Sequence, residues 1–206
     1  MRAAYALRCA DGTVPLVYVA VYCGSLATVP QSYVDLAAEV GRQIAARGWN
    51  LVWGGGQTSM MGAVAREARA GGSHTYGVIP KGLATREIAD RESTELHVVD
   101  TMRERKKMMD DKADAFLTLP GGIGTAEEFF EVWTAGVLGM HSKPVVLLDV
   151  DNHYKGLVEW LSELRDKGFV SHAALKSLVV TDDVSVALDA CVVQALGRGD
   201  ELGLRQ

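Results

Sequence analysis

Short apolar runs alternate with segments of helical periodicity along almost the whole chain. The runs are rich in β-branched and large apolar residues and occupy residues 16–22, 49–53, 75–79, 96–99, 115–119, 144–148 and 178–180. Between them, residues 31–47 and 126–138 carry apolar side chains at helical spacing. Strands that are apolar on both faces indicate a sheet covered by helices on both sides. The pattern therefore predicts an α/β fold, with a doubly wound, mostly parallel, Rossmann-like sheet in a single domain.

Size and charge narrow the class of protein. The chain has 206 residues, of which 48% are hydrophobic and 23% charged, so we expect one core-forming domain at 16–196 between tails at 1–15 and 197–206. The formal net charge of -5 disfavours a general affinity for nucleic acid or anionic membranes. The apolar run at 16–22 is far shorter than the roughly 20 residues of a membrane span. We expect a soluble, cytoplasmic protein.

Three glycine-rich segments directly follow predicted strands. They contain Gly24 and Ser25, then Gly55 and Gly56, and then residues 121–125. In an open parallel sheet, ligands bind at the carboxyl ends of the strands. We expect each segment to lead into a helix, whose first N–H groups and positive dipole end favour an anion. These residues are therefore candidates for binding a phosphate.

Other nucleotide-binding and metal-binding patterns are incomplete. The loop at 54–59 lacks the lysine of a P-loop and has Ser59 where a dinucleotide-binding loop has its third glycine, so neither an ATPase nor a nicotinamide dehydrogenase is indicated. The histidines are isolated, no His-Glu-x-x-His occurs, and no metal or cofactor is expected. Three widely spaced cysteines without a Cys-x-x-Cys are expected to be reduced, buried thiols: Cys9, Cys23 and Cys191.

The segment Pro-Gly-Gly-Ile-Gly-Thr-Ala-Glu-Glu at residues 120–128 is the most specific in the chain. One interpretation is structural: Thr125 caps a helix, and Glu128 folds back on the helix start as the third residue of a capping box. The other is functional. Because Glu127 and Glu128 place two negative charges beside an expected phosphate site, a catalytic role would explain a carboxylate there.

A basic segment follows the fourth predicted strand and opens a helix. Four of the five residues at 103–107 are cationic, at the helix end where cations are disfavoured by roughly 0.3–1 kcal/mol each. An anionic ligand lying between this helix and the glycine loops would offset that cost, with Arg105 as a bidentate donor and Lys106 as a point charge. The alternative is a solvated basic face balanced by Glu104, Asp110 and Asp111.

Four motifs together resemble the LOG ("Lonely guy") family of cytokinin riboside 5′-monophosphate phosphoribohydrolases. They are Tyr-Cys-Gly-Ser at 22–25, Gly-Gly-Gly at 54–56, Met-x-x-Arg-Lys at 102–106 and Pro-Gly-Gly-x-Gly-Thr-x-x-Glu at 120–128. The resemblance covers about residues 17–180. Members of this family were often labelled lysine decarboxylases, but no lysine here lies in a recognisable pyridoxal-phosphate site.

The resemblance implies an enzyme that hydrolyses the N-glycosidic bond of AMP or N6-substituted AMP to free base and ribose 5-phosphate, usually as a homodimer. By position, Arg105 and Glu128 match the family's catalytic pair. The positions that match substrate-binding residues are Glu87, Lys106, Gly121, Gly122, Ile123, Gly124, Thr125, Ala126, Glu127 and Thr134. The first loop departs from the family's usual form, because Leu26 and Thr28 stand where a serine and a glycine are usual.

The chemistry of these side chains suits the implied reaction. Loss of adenine builds oxocarbenium character on the ribose, and a carboxylate such as Glu128 can stabilise that charge and deprotonate the attacking water. Arg105 stays protonated, so it can stabilise charge but is a poor proton donor. Two other functions stay open: an AMP nucleosidase with little interest in the N6 group, and a nucleotide or cofactor carrier without turnover, which would not need the carboxylate.

A dimer is also expected from the end of the helix at 126–138. Its apolar side chains there look exposed in the sequence pattern, and the active site would lie near the subunit interface. The residues are Trp133, Val137, Leu138 and Met140.

Overall fold

The computed structural model describes residues 17–84 and 88–193. It contains a seven-stranded sheet in which all strand pairs are parallel. The strands are β1 (Tyr18–Tyr22), β2 (Asn50–Trp53), β3 (Thr75–Pro80), β4 (Glu95–Val99), β5 (Ala115–Thr118), β6 (Val145–Leu148) and β7 (Leu178–Thr181). Each strand coincides with a predicted run to within two residues at either end. Residue 16, both predicted tails, Cys9 and Glu87 lie outside the described residues.

The order of the strands confirms a doubly wound, Rossmann-like sheet. It reads β4-β3-β2-β1-β5-β6-β7, so the chain adds β2 to β4 on one side of β1 and then returns to add β5 to β7 on the other. The direction of winding reverses between β1 and β5. At such a reversal the loops that follow the two strands diverge, which leaves a crevice at the carboxyl edge of the sheet.

Helices connect the strands and cover both faces of the sheet. They are α1 (Gln31–Ala46), α2 (Ser59–Ala70), α3 (Lys81–Ala84), α4 (Met102–Lys112), α5 (Ile123–Val137), α6 (Lys155–Asp166), α7 (His172–Ser177) and α8 (Val184–Val193), with a short 3₁₀ helix at Val150–Asn152. The prediction for 31–47 matches α1 closely. The helix predicted at 126–138 begins three residues earlier than expected, at Ile123.

Two hydrophobic clusters fill the space between the sheet and its helices, because alternate strand residues point to opposite faces. In β1, Val19 and Val21 pack with α1, α2 and α8, whereas Ala20 and Tyr22 pack with α4, α5 and α6. The strands are therefore buried on both sides, which explains why they appear in the sequence as continuous apolar runs.

One residue assigned to a dimer surface belongs to the core instead. Trp133 is buried, its ring stacks on Phe129, and its indole Nε1 donates to the carbonyl oxygen of Ala174 at 3.2 Å. The prediction that Trp133 is exposed was wrong, because the stripe of α5 that faces the sheet is wider than the spacing suggested. Val137 and Leu138 are exposed as expected.

The remaining expectations about composition concern thiols and membrane spans. Cys23 and Cys191 are buried, and burial raises the pKa of Cys191 to about 12. Within 17–84 and 88–193, none of the helices combines the length and the apolar character that crossing a membrane requires.

The close packing of α1 on α2 predicts that any side chain at position 41 destabilises the fold. A β-carbon at this position would lie 2.4 Å from the carbonyl oxygen of Val64 and 3.0 Å from the amide nitrogen of Ala68. Since both contacts are with backbone, Gly41→Ala should lower the free energy of unfolding by about 1–3 kcal/mol. Urea unfolding measures this. In the control Gly156→Ala, on α6, the new methyl group meets open space, and stability should not fall; equal losses in the two variants would contradict the packing argument.

Candidate active site

A cavity of about 570 Å³ opens at the crevice between β1 and β5. The loops after these strands form much of its wall, and the amide of Gly24 donates to the carbonyl oxygen of Pro120 at 3.2 Å, which joins the two loops. Many of the residues predicted for the site line this cavity: Gly24, Ser25, Arg105, Gly121, Gly122, Ile123, Gly124, Thr125, Glu127 and Glu128. The sheet topology therefore brings together segments that are about a hundred residues apart in the chain.

Arg105 and Glu128 form a buried ion pair at the cavity wall. Nη1 of Arg105 lies 3.6 Å from Oε1 of Glu128, and the two side chains are 8% and 11% exposed. Nε of Arg105 also donates to the carbonyl oxygen of Val78 at 3.2 Å, which fixes the guanidinium against β3. A buried charge needs such partners because desolvation is costly. The pair thus presents a positioned carboxylate and a permanent cation to whatever occupies the cavity.

The second glycine loop serves this pair rather than the cavity. A β-carbon on Gly54 would lie 1.9 Å from Nη2 of Arg105, so the absence of a side chain there makes room for the guanidinium. Gly55 and Gly56 do not line the cavity. The carbonyl oxygen of Gly55 accepts from the amide of Asp90 at 2.8 Å, and that of Gly56 accepts from the indole of Trp53 at 3.2 Å.

The capping interpretation of Glu128 was wrong. Helix α5 begins at Ile123, its N-cap is Gly122, and no side chain caps it. Thr125 is a buried residue inside the first turn, not the cap. Glu128 therefore lies beyond the capping position and faces Arg105 instead. Because its N-terminus is uncapped and opens on the cavity, α5 offers backbone N–H groups to an anion.

A capping box does occur, at the start of α4. The Thr101 hydroxyl accepts from the amide of Glu104, and the Glu104 carboxylate accepts from the amides of Thr101 and Asp100. The N-terminus of α4 is thus satisfied by its own side chains. Glu104, which was grouped with the acidic residues of a solvated basic face, serves the helix start.

The basic segment on α4 is balanced largely by carboxylates of the protein. Lys106 contacts Glu127 and Glu131 of α5, at 2.5 Å and 2.6 Å, and does not line the cavity. Lys107 pairs with Asp111 at 2.7 Å. Carboxylates of α5 lie opposite Arg105 and Lys106, and the anionic ligand expected beside this helix stays a prediction.

Two further predicted residues lie outside the cavity wall. Ala126 is half-buried in the first turns of α5, and Thr134 is exposed two turns after Glu127 on the same helix. Glu87 lies outside the described residues. Their roles in binding stay predictions.

Sequence patterns missed several residues of the cavity wall. The Nε2 atom of His153 lies 2.9 Å from the carbonyl oxygen of Gly121 and 3.2 Å from its amide nitrogen. The imidazole also packs edge-on against Tyr33 and Tyr154. His153 was counted among the isolated histidines, because no motif surrounds it and only the fold brings it to the third glycine loop.

An apolar side of the cavity was likewise not predicted. It is lined by the side chains of Leu26, Val29, Pro30, Tyr33, Met60, Met61 and Met102. The polar groups Arg105 and Glu128 lie in the same cavity. The site can therefore hold a ligand that has an anionic part and an apolar or aromatic part.

A buried phenol lies on the β1 side of the pair. Burial raises the pKa of Tyr22 well above its usual value, and the negative charge of Glu128 raises it further. Tyr22 is therefore neutral near pH 7 and adds no charge to the site. Among the described residues, no three His, Cys, Asp or Glu side chains are grouped so that they could hold a metal ion.

Comparison with known proteins identifies the family. A family model described as "Possible lysine decarboxylase" matches residues 61–191. Cytokinin riboside 5′-monophosphate phosphoribohydrolase of Mycobacterium marinum is 56% identical over 173 residues, which are 84% of this chain and 92% of that protein. The chain belongs to the LOG family. Cytokinin riboside 5′-monophosphate phosphoribohydrolase LOG2 of Arabidopsis thaliana is 43% identical over 161 residues, which are 78% of this chain and 76% of that protein.

Solved structures share the LOG-type fold at lower identity. The molybdenum cofactor carrier protein of Chlamydomonas reinhardtii superimposes with a TM-score of 0.64 at 23% identity and covers 89% of this chain and 99% of its own. The molybdenum cofactor binding protein of Rippkaea orientalis gives 0.64 at 18% identity, with 86% and 96% covered. At this identity the likeness shows a common fold and nothing about the ligand.

The first loop of this LOG family member differs in shape as well as in sequence from a simple phosphate loop. It does not lead directly into a helix, because α1 begins only at Gln31 and its N-cap is Pro30. Leu26 and Thr28 lie in this connection, and the Leu26 side chain is exposed at the cavity. The anion-binding geometry predicted for all three glycine loops is therefore present most clearly at α5.

Proposed function

We propose that this chain hydrolyses the N-glycosidic bond of adenosine 5′-monophosphate or its N6-substituted forms and releases the base and ribose 5-phosphate. The observation that carries the proposal is the buried Arg105–Glu128 pair in a cavity that also receives the uncapped start of α5. The names of the relatives in mycobacteria and plants support the same reaction.

The reaction needs few groups. Water adds to C1′ of the ribose, the bond from C1′ to N9 breaks, and the proton of the water ends on the released base. Glu128 would orient and deprotonate the water and stabilise the oxocarbenium-like transition state. Arg105 would hold the Glu128 carboxylate in position and stabilise charge on the departing base. The cavity contains one such buried carboxylate beside a cation, whereas a carrier would have no use for it.

The 5′-phosphate would bind at the start of α5. The N–H groups of the first turn and the positive end of the helix dipole favour a dianion. The base would then extend toward the apolar side of the cavity, where Met60 and Tyr33 offer soft and aromatic surface. Binding energy from the phosphate, remote from the bond that breaks, would hold the ribose against Glu128.

We also propose that the enzyme is a homodimer that associates through α5. Ile123 is 92% exposed at one end of the helix and Leu138 is 65% exposed at the other, and such apolar surface favours an interface. Thr134 lies between them, outside the cavity of its own chain, and would meet a second subunit there. The cytoplasmic location and the lack of a nucleic-acid partner stay predictions from charge and composition.

Glu128→Gln should lower kcat for base release by roughly 10²–10⁴-fold, as expected for the loss of a positioned acid–base group. Glutamine keeps the size of the side chain and places an amide oxygen opposite Arg105, so the loss of stability should be only about 1–2 kcal/mol. Single-turnover release of adenine from AMP, with thermal melting alongside, measures both. Glu127→Gln is the matched control and should lower the rate of the chemical step less than Glu128→Gln does. Turnover of Glu128→Gln within a few-fold of the wild type would return Glu128 to a structural role.

AMP should be a far better substrate than adenosine. Two or more charge-assisted hydrogen bonds, each worth about 1.5–3 kcal/mol, predict that kcat/KM falls at least roughly 100-fold when the phosphate is absent. Chromatography of released adenine measures the ratio, and N6-isopentenyl-AMP in the same assay reports the preference for an N6 group. Ribose 5-phosphate should inhibit competitively and ribose should not. Similar kcat/KM values for AMP and adenosine would place the phosphate outside this site.

Light scattering at micromolar concentration should give twice the mass of one chain. Leu138→Asp should shift the protein toward monomer, because it places a charge in the proposed interface. Phe169→Asp is the control, since Phe169 is also an exposed apolar residue but lies beyond α6. A wild type that is entirely monomeric, or equal shifts in both variants, would rule out association through α5.

A further inference from the structure

Two ion pairs lie side by side between α4 and α5. Arg105 and Lys106 are neighbours on α4, and they face the neighbours Glu128 and Glu127 on α5. The pair of Arg105 with Glu128 is the buried one. Lys106 instead contacts two carboxylates one helical turn apart, Glu127 and Glu131, and its side chain is only 17% exposed.

The position of Lys106 differs from that of a phosphate ligand. Glu127 lines the cavity, but Lys106 does not, and its ammonium group is directed to the two carboxylates. Burial alone would lower the pKa of Lys106, but its hydrogen bonds to Glu127 and Glu131 raise it above the usual value. The lysine is therefore held as a cation in place, and a phosphate would have to compete with two carboxylates for it.

Without this lysine, the start of α5 would carry an unbalanced negative charge. Glu131 lies four positions after Glu127, and like charges at this spacing on a helix repel each other. Glu127 follows the first turn of α5 and lines the same cavity, so its uncompensated carboxylate would repel a phosphate bound at the helix start. Lys106 brings one positive charge against these two negative ones.

We propose that Lys106 is a positioning residue, not a phosphate ligand: it neutralises the carboxylates of Glu127 and Glu131 and so admits a phosphate to the start of α5. This inference rests on the proposed function. It gives Lys106 a role in substrate affinity that is exerted through Glu127. It also explains how a segment with two adjacent glutamates can serve as an anion site while Glu128 faces Arg105.

A double-mutant cycle tests the inference. Lys106→Met should raise the Kd of ribose 5-phosphate, measured by calorimetry, by roughly 10–100-fold, because an uncompensated carboxylate then faces the phosphate. Adding Glu127→Gln should bring the Kd back to within roughly five-fold of the wild type, since the repelling charge is removed. In turnover of AMP, Lys106→Met should raise KM more than it lowers kcat. A direct ligand predicts no recovery in the double variant, and that result would overturn the proposal.

Two controls separate this effect from general charge and from folding. Lys107→Met removes the same charge one residue away, where Lys107 pairs with Asp111 on the surface, and it should leave the Kd within about two-fold. Lys106→Arg keeps the cation and should retain most of the affinity, so it serves if Lys106→Met does not fold. Loss of affinity in Lys106→Arg as large as in Lys106→Met would contradict a neutralising role.

These measurements distinguish failure of the proposed hydrolysis from failure of the proposed role of Lys106. If the wild type binds ribose 5-phosphate but releases no adenine from AMP, the proposed hydrolysis fails, while the cycle in Kd still decides the role of Lys106. If adenine is released but the double variant shows no recovery, the inference fails and the reaction stands. A wild type that does not bind ribose 5-phosphate would overturn the inference directly.

Discussion

The reversal of strand order at β1 determines where everything else in the site can lie. Because β1 has β2 on one side and β5 on the other, the segments that leave β1 and β5 turn away to opposite faces of the sheet. The cavity occupies the gap between them, and the amide of Gly24 on one side meets the carbonyl of Pro120 on the other. Helices α4 and α5 then meet at the carboxyl edge, where their charged residues face each other.

The buried ion pair depends on that arrangement in several ways. Arg105 can be desolvated because the carbonyl oxygen of Val78 and the carboxylate of Glu128 replace water, and because Gly54 leaves space for the guanidinium. A charge without these partners would cost several kcal/mol. Strand β3, the loop after β2 and helix α5 therefore have to be in place together before the pair can form. The precision of the site comes from regular elements, which hold side chains more rigidly than loops do.

The sheet could be predicted from the sequence because its signal is local. A strand buried on both faces is a continuous apolar run, and the predicted runs at 49–53 and 144–148 match β2 and β6 to within one residue at either end. The cavity-facing glycines after β1 and β5 followed from the same reasoning. The family motifs then identified Arg105 and Glu128, which are 23 residues apart in the sequence and which the fold brings together.

What could not be predicted depends on distances across the fold. The cap of α5 was misplaced because Thr125 looked suitable by its spacing from Glu128. The observed N-cap is Gly122, which has no side chain to signal that position. Gly54 looked like a phosphate loop, since its contact with Arg105 arises only when β2 and α4 pack. His153 gave no signal at all, because its neighbours Gly121 and Tyr33 come from distant segments.

The apolar wall of the cavity can adapt to ligands of different shape. Met60, Met61 and Met102 are unbranched and have several rotatable bonds, so they can fill space around occupants of different outline. Such a wall can accommodate a different ligand without a change of backbone, whereas the rigid Arg105–Glu128 pair cannot. Descendants of such a fold can therefore acquire new preferences at the soft wall by single substitutions while the reactive geometry stays as it is.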